Sequence, residues 1–154
     1  MSGGPSTVRG MWNPWRRLSE LAHVRLRWTR DLPPGVDGLT RFRDQEILLR
    51  DGLTAAQERS VLTHELIHLE RGAFPIWATQ REETIVCRIA ARRLITLDHL
   101  ADALIWCHDE HEAAEHLHVD VPTVLARLEG LSLGERWLLT QILDGVEHPP
   151  KPAT

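Results

Sequence analysis

Apolar positions recur along this chain with two different periods. Between Ala55 and Arg71 they fall as Val61, Leu62, Leu66, Ile67 and Leu69, the three-to-four spacing of a helix with a buried face. Thr54 and Gln57 have the spacing of a capping box at its start, and Gly72 supplies the permissive residue that ends a helix. A second helix is predicted from Thr79, with Glu82 completing another capping-box spacing, to about Ile95. Further helical stretches are expected at Leu97 to Cys107, Glu112 to Leu117, Val121 to Leu128 and Gly134 to Leu143. Before the first of these long helices the period shortens. Val24 to Trp28 alternates apolar with basic residues, and Leu39 to Phe42 and Glu46 to Leu49 suggest a hairpin around Arg43-Asp44-Gln45. A short helix from Pro14 to Ala22, capped by Asn13, precedes them, and two prolines and two glycines make Asp31 to Gly38 a loop. The expected fold class is α+β: mainly helical, with a small antiparallel sheet before the helix that begins at Ala55.

That helix carries His64-Glu65-Leu66-Ile67-His68, an H-E-x-x-H pentapeptide. Histidines four apart stand one turn above each other, so both imidazoles can reach one metal ion. The intervening glutamate points to a neighbouring face, where it serves as a base without ligating. Shuffled sequences of this composition contain the pattern only ~0.04 times. A catalytic zinc needs a third protein ligand. The extended form of the motif would place glycine and histidine where this chain has Arg71 and Phe74, so a glutamate from the next helix is the other source. A Glu82 that closes the capping box to Thr79 is turned back to the helix start. Glu83 shares a face with Val86, Cys87, Ala90 and Leu94, away from Arg81, Arg88 and Arg92. A carboxylate on an apolar, arginine-free face asks for a cation, which makes Glu83 the expected third zinc ligand and Glu82 the alternative.

At 154 residues the chain is expected to form one domain with a small appended lobe. The divisions are a flexible start over 1–11, a metallopeptidase core over 12–97, a helical lobe over 98–146 packed on it, and a flexible tail over 147–154. No apolar run approaches the ~20 residues that span a bilayer, and the first residues lack the apolar core of a signal peptide. With only Cys87 and Cys107, no disulfide framework is expected, and the compartment read from these features is the cytoplasm. Charge is uneven: residues 1–50 carry +4, 51–100 carry −1 and 101–154 carry −7. Every base but Lys151 is arginine, a bias that fits a GC-rich bacterial or phage genome.

His64-Glu65-Leu66-Ile67-His68-Leu69-Glu70, Arg81-Glu82-Glu83 and Ala90-Ala91-Arg92-Arg93-Leu94-Ile95 together resemble the ImmA/IrrE family of metallo-endopeptidases, most of all its short actinobacterial and actinophage forms. The similarity runs over roughly residues 12 to 143 and includes Trp12-Asn13-Pro14-Trp15. It implies zinc held by His64, His68 and Glu83, with Glu65 as general base. It also implies a cytoplasmic protease with a narrow protein substrate, a repressor-type transcription regulator of a phage, mobile element or stress response. Two departures stand out. Family members often have an acidic or amide residue four after the ligand glutamate, bracing a ligating histidine, where this chain has Cys87. Tyrosine, a common oxyanion stabiliser in related zinc peptidases, is absent; His99, His108 and His111 are the candidate donors in its place.

Two rival chemistries are suggested by the C-terminal third. Glu112 to Leu128 has the rhythm of a helix-turn-helix, but its second helix carries one base, Arg127, followed by Glu129, a poor match for phosphates. No specific nucleic-acid binding is expected. His108, His111, His116 and His118 are irregularly spaced among acids and read as a solvated face rather than a second metal site. The alternative to a peptidase is a non-catalytic, zinc-stabilised protein-interaction or DNA-binding regulatory module.

Overall fold

The computed structural model describes residues 10–147. The flexible start and tail expected over 1–11 and 147–154 therefore lie almost wholly outside the described residues. Helix α1 spans Pro14–Ser19, with the Asn13 side chain accepting from the backbone N–H groups of Trp15 and Arg16. Strands β1 (Arg25–Thr29), β2 (Gly38–Arg41) and β3 (Glu46–Arg50) follow, then helix α2 (Ala55–Arg71). After a 3-10 turn at Ile76–Ala78 come α3 (Thr79–Leu94), α4 (Leu97–Trp106), α5 (Glu110–Leu117), α6 (Val121–Glu129) and α7 (Leu133–Glu147). The fold is α+β and mainly helical.

The sheet is mixed rather than antiparallel, with strand order β1-β3-β2. The β2–β3 hairpin is antiparallel as expected, whereas β1 runs parallel to β3. The chain leaves β1, crosses by the loop 30–37 and enters the far edge, so the last strand closes the sheet in the middle. Ile47, Leu48 and Leu49 are consequently at most 3% exposed, the continuous apolar run of a strand covered on both faces. Arg50 holds the crossing loop: its guanidinium donates to the carbonyls of Leu32, Pro33 and Val36 and pairs with Asp37.

Helix α2 is the centre of the molecule. Its Leu62 and Leu66 pack on Ile47 and Leu49 of the sheet, and its Ile67 packs on Val86 and Ala90 of α3. The capping box of Thr54 and Gln57 is formed, and Gly72 ends the helix at φ 88°. The end of α3 enters a separate core, where Leu94 and Ile95 meet Leu100, Leu117, Val119, Val124 and Leu139 of the C-terminal helices. Arg59 of α2 ties this lobe down by donating to the carbonyls of Leu117, His118 and Trp12. No helix among the described residues is long and apolar enough to cross a membrane.

Candidate metal centre

With its two flanks committed to the sheet and to α3, α2 presents His64 and His68 to the cleft left between them. One helical turn apart, their Nε2 atoms stand 3.1 Å from each other. Glu83 comes from the first half of α3 and spans the pair: Oε2 lies 3.0 Å from His64 Nε2, and Oε1 lies 3.0 Å from His68 Nε2. Among the described residues these three side chains are the one group of metal-ligating type whose donor atoms converge, all within 4.8 Å. Zinc–nitrogen bonds of ~2.0–2.1 Å in tetrahedral geometry separate neighbouring donors by about 3.3 Å. The donor atoms lie close enough to share one ion, although each histidine meets a different Glu83 oxygen at ordinary hydrogen-bond distance, and two imidazoles with one carboxylate are a donor set zinc accepts.

The electrostatics also ask for a cation. Burial alone would lower the His64 imidazole, but contacts with Cys87 and Glu83 and the charge of Glu65 more than reverse this, raising it to about 10. The Glu83 carboxyl is held below the ordinary range first by its hydrogen bond to His64. Burial and the neighbouring His64 charge push His68 the other way, toward the neutral ring whose Nε2 lone pair a metal needs. His68 Nδ1 is buried without a hydrogen-bond partner among the described residues, so nothing there competes for the orientation of this ring. The Phe74 ring, stacked on the imidazole at 5.6 Å and 29°, sets its plane instead.

Glu65 does not join the cluster. It is 6% exposed and lies under strand β2, where the Thr40 hydroxyl donates to its Oε2 at 2.7 Å. Burial raises the carboxyl, and the Thr40 hydrogen bond opposes that. Strand and helix approach so closely that residue 38 must be glycine. A Cβ there would meet Val61 Cγ1 at 2.5 Å and Glu65 Oε1 at 2.8 Å. Gly38 and Thr40 are functional neighbours that sequence reasoning missed. The signal that points to them, a glycine and a hydroxyl two apart on an edge strand, has meaning only once β2 is known to cross α2.

Glu83 and not Glu82 lies beside the two histidines, and Glu82 is turned away for a different reason than the sequence suggested. Helix α3 begins at Thr79, but its cap is Ala78, with no side-chain cap bond. Thr79 donates to the Ile76 carbonyl of the 3-10 turn, so the capping box to Glu82 does not form. Glu82 is instead gripped by Arg71, with two bonds of 2.9 and 2.8 Å. Cys87 Sγ lies 3.8 Å from His64 Nδ1, beside the ligand atom's own ring. His99, His108 and His111 lie in the C-terminal lobe and do not line the cleft. His108 pairs with Glu112 and His116 with Asp102, each singly.

The cleft has a volume of about 500 Å³ and runs from the loop before β2, past the cluster, to the first turn of α6. Edge strand β2 forms one wall, with its outer edge unpaired among the described residues. Comparison of the chain with protein-family models, with curated proteins and with solved structures finds no match.

Proposed function

We propose that this protein is a zinc-dependent endopeptidase, with zinc held by His64, His68 and Glu83. The single observation that carries the reading is the convergence of three donor atoms from two helices beside a buried carboxylate that is not one of them. The resemblance to ImmA/IrrE metallo-endopeptidases points the same way. It adds a narrow protein substrate, a repressor-type regulator of a phage, mobile element or stress response, cut in the cytoplasm.

When bound, zinc supplies Lewis acidity that polarises a peptide carbonyl and acidifies water. Glu65 is the general base. Its Oε2 is engaged by Thr40, so Oε1 takes the proton from the attacking water and returns it to the leaving amine. The free edge of β2 pairs with the substrate backbone in extended form and lays it across the cluster. Candidate donors to the developing oxyanion are the backbone groups of that edge, since no arginine or lysine is among the described residues lining the cleft.

The DNA-binding alternative loses its one cation. Arg127 is 3% exposed and donates to the Ile95 carbonyl and to Glu135, so it is not available to a phosphate. The remaining alternative is a zinc-stabilised interaction module without catalysis. Metal analysis of the purified protein, followed by co-expression of wild type and Glu65→Gln with the genomically adjacent repressor, separates the two. The peptidase reading expects one zinc in both proteins, repressor cleavage by the wild type, and at least ~10²-fold less by the variant. Full biological activity in a zinc-loaded Glu65→Gln protein overturns it.

A further inference from the structure

Helix α7 gives Leu139 to the core of the C-terminal lobe and Glu135 to Arg127 and Arg92. Most of its other apolar side chains face outward. Leu133 and Trp137 are 87% and 63% exposed, and Leu138, Ile142 and Val146 between 37% and 48%. Leu133 with Trp137, and Leu138 with Ile142 and Val146, form two neighbouring rows at i, i+4 spacing. By the same spacing Gly134, Gln141 and Gly145 stand between the rows, so the middle of this face is uncharged although residues 101–154 carry −7. With roughly 150–250 Å² for a whole aromatic side chain and somewhat less for an aliphatic one, the exposed fractions leave roughly 600 Å² of apolar surface on α7 alone. That is the top of the ~300–600 Å² that the largest apolar patch of a monomer reaches. Trp106, exposed at the end of α4, the helix on which α7 packs, adds to the apolar surface of the lobe.

We infer that this face joins two copies of the chain, whose α7 helices pair antiparallel about a two-fold axis. Three observations choose a second copy as the occupant. Neither residues 1–9 nor residues 148–154 contain an apolar run that could cover the face. The face is self-complementary, as a two-fold contact requires. Antiparallel pairing about the middle of the helix sets Leu133 against the partner's Val146, Trp137 against the partner's Ile142, and Leu138 against the partner's Gln141. The exposed area approaches the ~800 Å² per partner of a standard interface and, taken over both copies, passes the ~1,000 Å² expected of a specific one. A partner chosen by charge would seek the acids of the lobe, which the middle of this stripe lacks. Pairing leaves both clefts open, since no residue of α7 lines them. Two acidic lobes repel each other, so added salt tightens the pair.

The test is sedimentation equilibrium of the full chain across the micromolar range, at low and at high salt. A monomer–dimer equilibrium is expected, tighter at high salt. Leu138→Glu puts a charge on the face and is expected to weaken it at least ~10-fold, with metal content and the melting curve of the dilute protein unchanged. If Leu138→Glu does not fold, Trp137→Ser, at a more exposed position, carries the same expectation. Mixing Leu138→Glu with Gln141→Arg is expected to restore a heterodimer, because the antiparallel register sets these two positions opposite each other. A wild type that stays monomeric throughout the range overturns the inference. So does a dimer that the face variants leave intact, a dimer that salt weakens, or a mixture of the two variants that fails to pair. None of these outcomes bears on the metal centre, which is built from other helices.

Discussion

In the α2–α3 pair, two histidines and a carboxylate from separate helices face one point and leave their donor atoms unspent on anything but each other. The C-terminal lobe holds five more histidines, at 99, 108, 111, 116 and 118, together with ten of the chain's 22 acids. His99 Nδ1 is buried without a partner among the described residues, but other polar side chains there pair off locally. His108 meets Glu112 and His116 meets Asp102 on the surface. Its one buried cation, Arg127, is consumed by Glu135 and the Ile95 carbonyl, with Arg92 joining from α3. Residue type does not distinguish the regions. What distinguishes them is whether histidines and acids meet one at a time, as in the lobe, or converge from separate elements on one accessible gap. The first arrangement stabilises a fold. The second carries a cost that a ligand must offset.

If that contrast holds, damage in the lobe costs stability and spares metal, and damage at the cluster does the reverse. The largest expected effect is Glu135→Gln. It leaves the Arg127 guanidinium, 3% exposed, without its counter-charge, and should cost about 3 kcal/mol by chemical denaturation, with zinc content unchanged. Arg127, against the opposing pull of burial and with help from the Ser132 N–H and Arg92, holds the Glu135 carboxyl down to about 2. The folded value lies below the unfolded one. Its stabilising contribution is therefore present above pH ~4.5 and lost as pH falls from there toward 2. Melting curves of wild type and Glu135→Gln should converge across that range. If zinc is lost along with stability in Glu135→Gln, the regions are not independent.

Next comes Glu83→Gln, which replaces a charged ligand by a neutral one. Zinc affinity should fall by at least ~10²-fold, more than is usual for removing a group that only braces a ligand. His116→Gln in the histidine-rich lobe should leave zinc affinity unchanged. Competition against a chromophoric chelator measures both. Equal losses would mean that the lobe, too, contributes a ligand.

A smaller effect is expected at the strand–helix crossing. Gly38→Ala forces a Cβ against Val61 and Glu65 and should cost about 1–3 kcal/mol, read from the denaturant midpoint. Gly145→Ala in α7 meets nothing within 4 Å and should be neutral or stabilising by roughly 0.5–1 kcal/mol. If Gly38→Ala is tolerated as well as Gly145→Ala, β2 does not press on the general base.

How much of this was legible from sequence follows the range of each interaction. Helix α2 begins and ends where expected because its signals are local: Thr54 bonds Gln57, and Gly72 adopts a positive φ. The pairing of His64 with His68 was readable for the same reason, since both sit on one helix four residues apart. The parallel pairing of β1 with β3 was not, because strand alternation says nothing about which neighbour a strand takes. Thr40 and Gly38 matter through the packing of β2 on α2, which no local signal records. The cap of α3 was misread because the preceding 3-10 turn already holds Thr79 in helical φ/ψ, so it is no extended cap residue and its hydroxyl donates back to the Ile76 carbonyl. Arg127 looked like a lone surface base because Glu135, eight residues on, belongs to the next helix.

The smallest expected effect is also the sharpest check on the cluster. Glu82 and Glu83 are adjacent, identical in chemistry and both in the first turns of α3, so sequence alone separates them only by face. Glu82 is held by Arg71 through two hydrogen bonds, and that pairing lowers its carboxyl below the usual range. Its partner is a surface arginine in high dielectric, so the pair contributes little. Glu82→Gln keeps an acceptor for Arg71 and loses only the charge. The melting temperature should move by no more than about 2 °C, and zinc affinity should stay within a few-fold of wild type. Glu83→Gln, one residue along, should leave the melting temperature of the zinc-free protein nearly as it was and lose the metal. The pair of variants therefore separates a carboxylate held by an arginine from one that meets only the two histidines of the proposed site. A Glu82 variant that loses zinc as Glu83→Gln does would mean that the Arg71 contact breaks when metal enters and that the ligand set has to be redrawn.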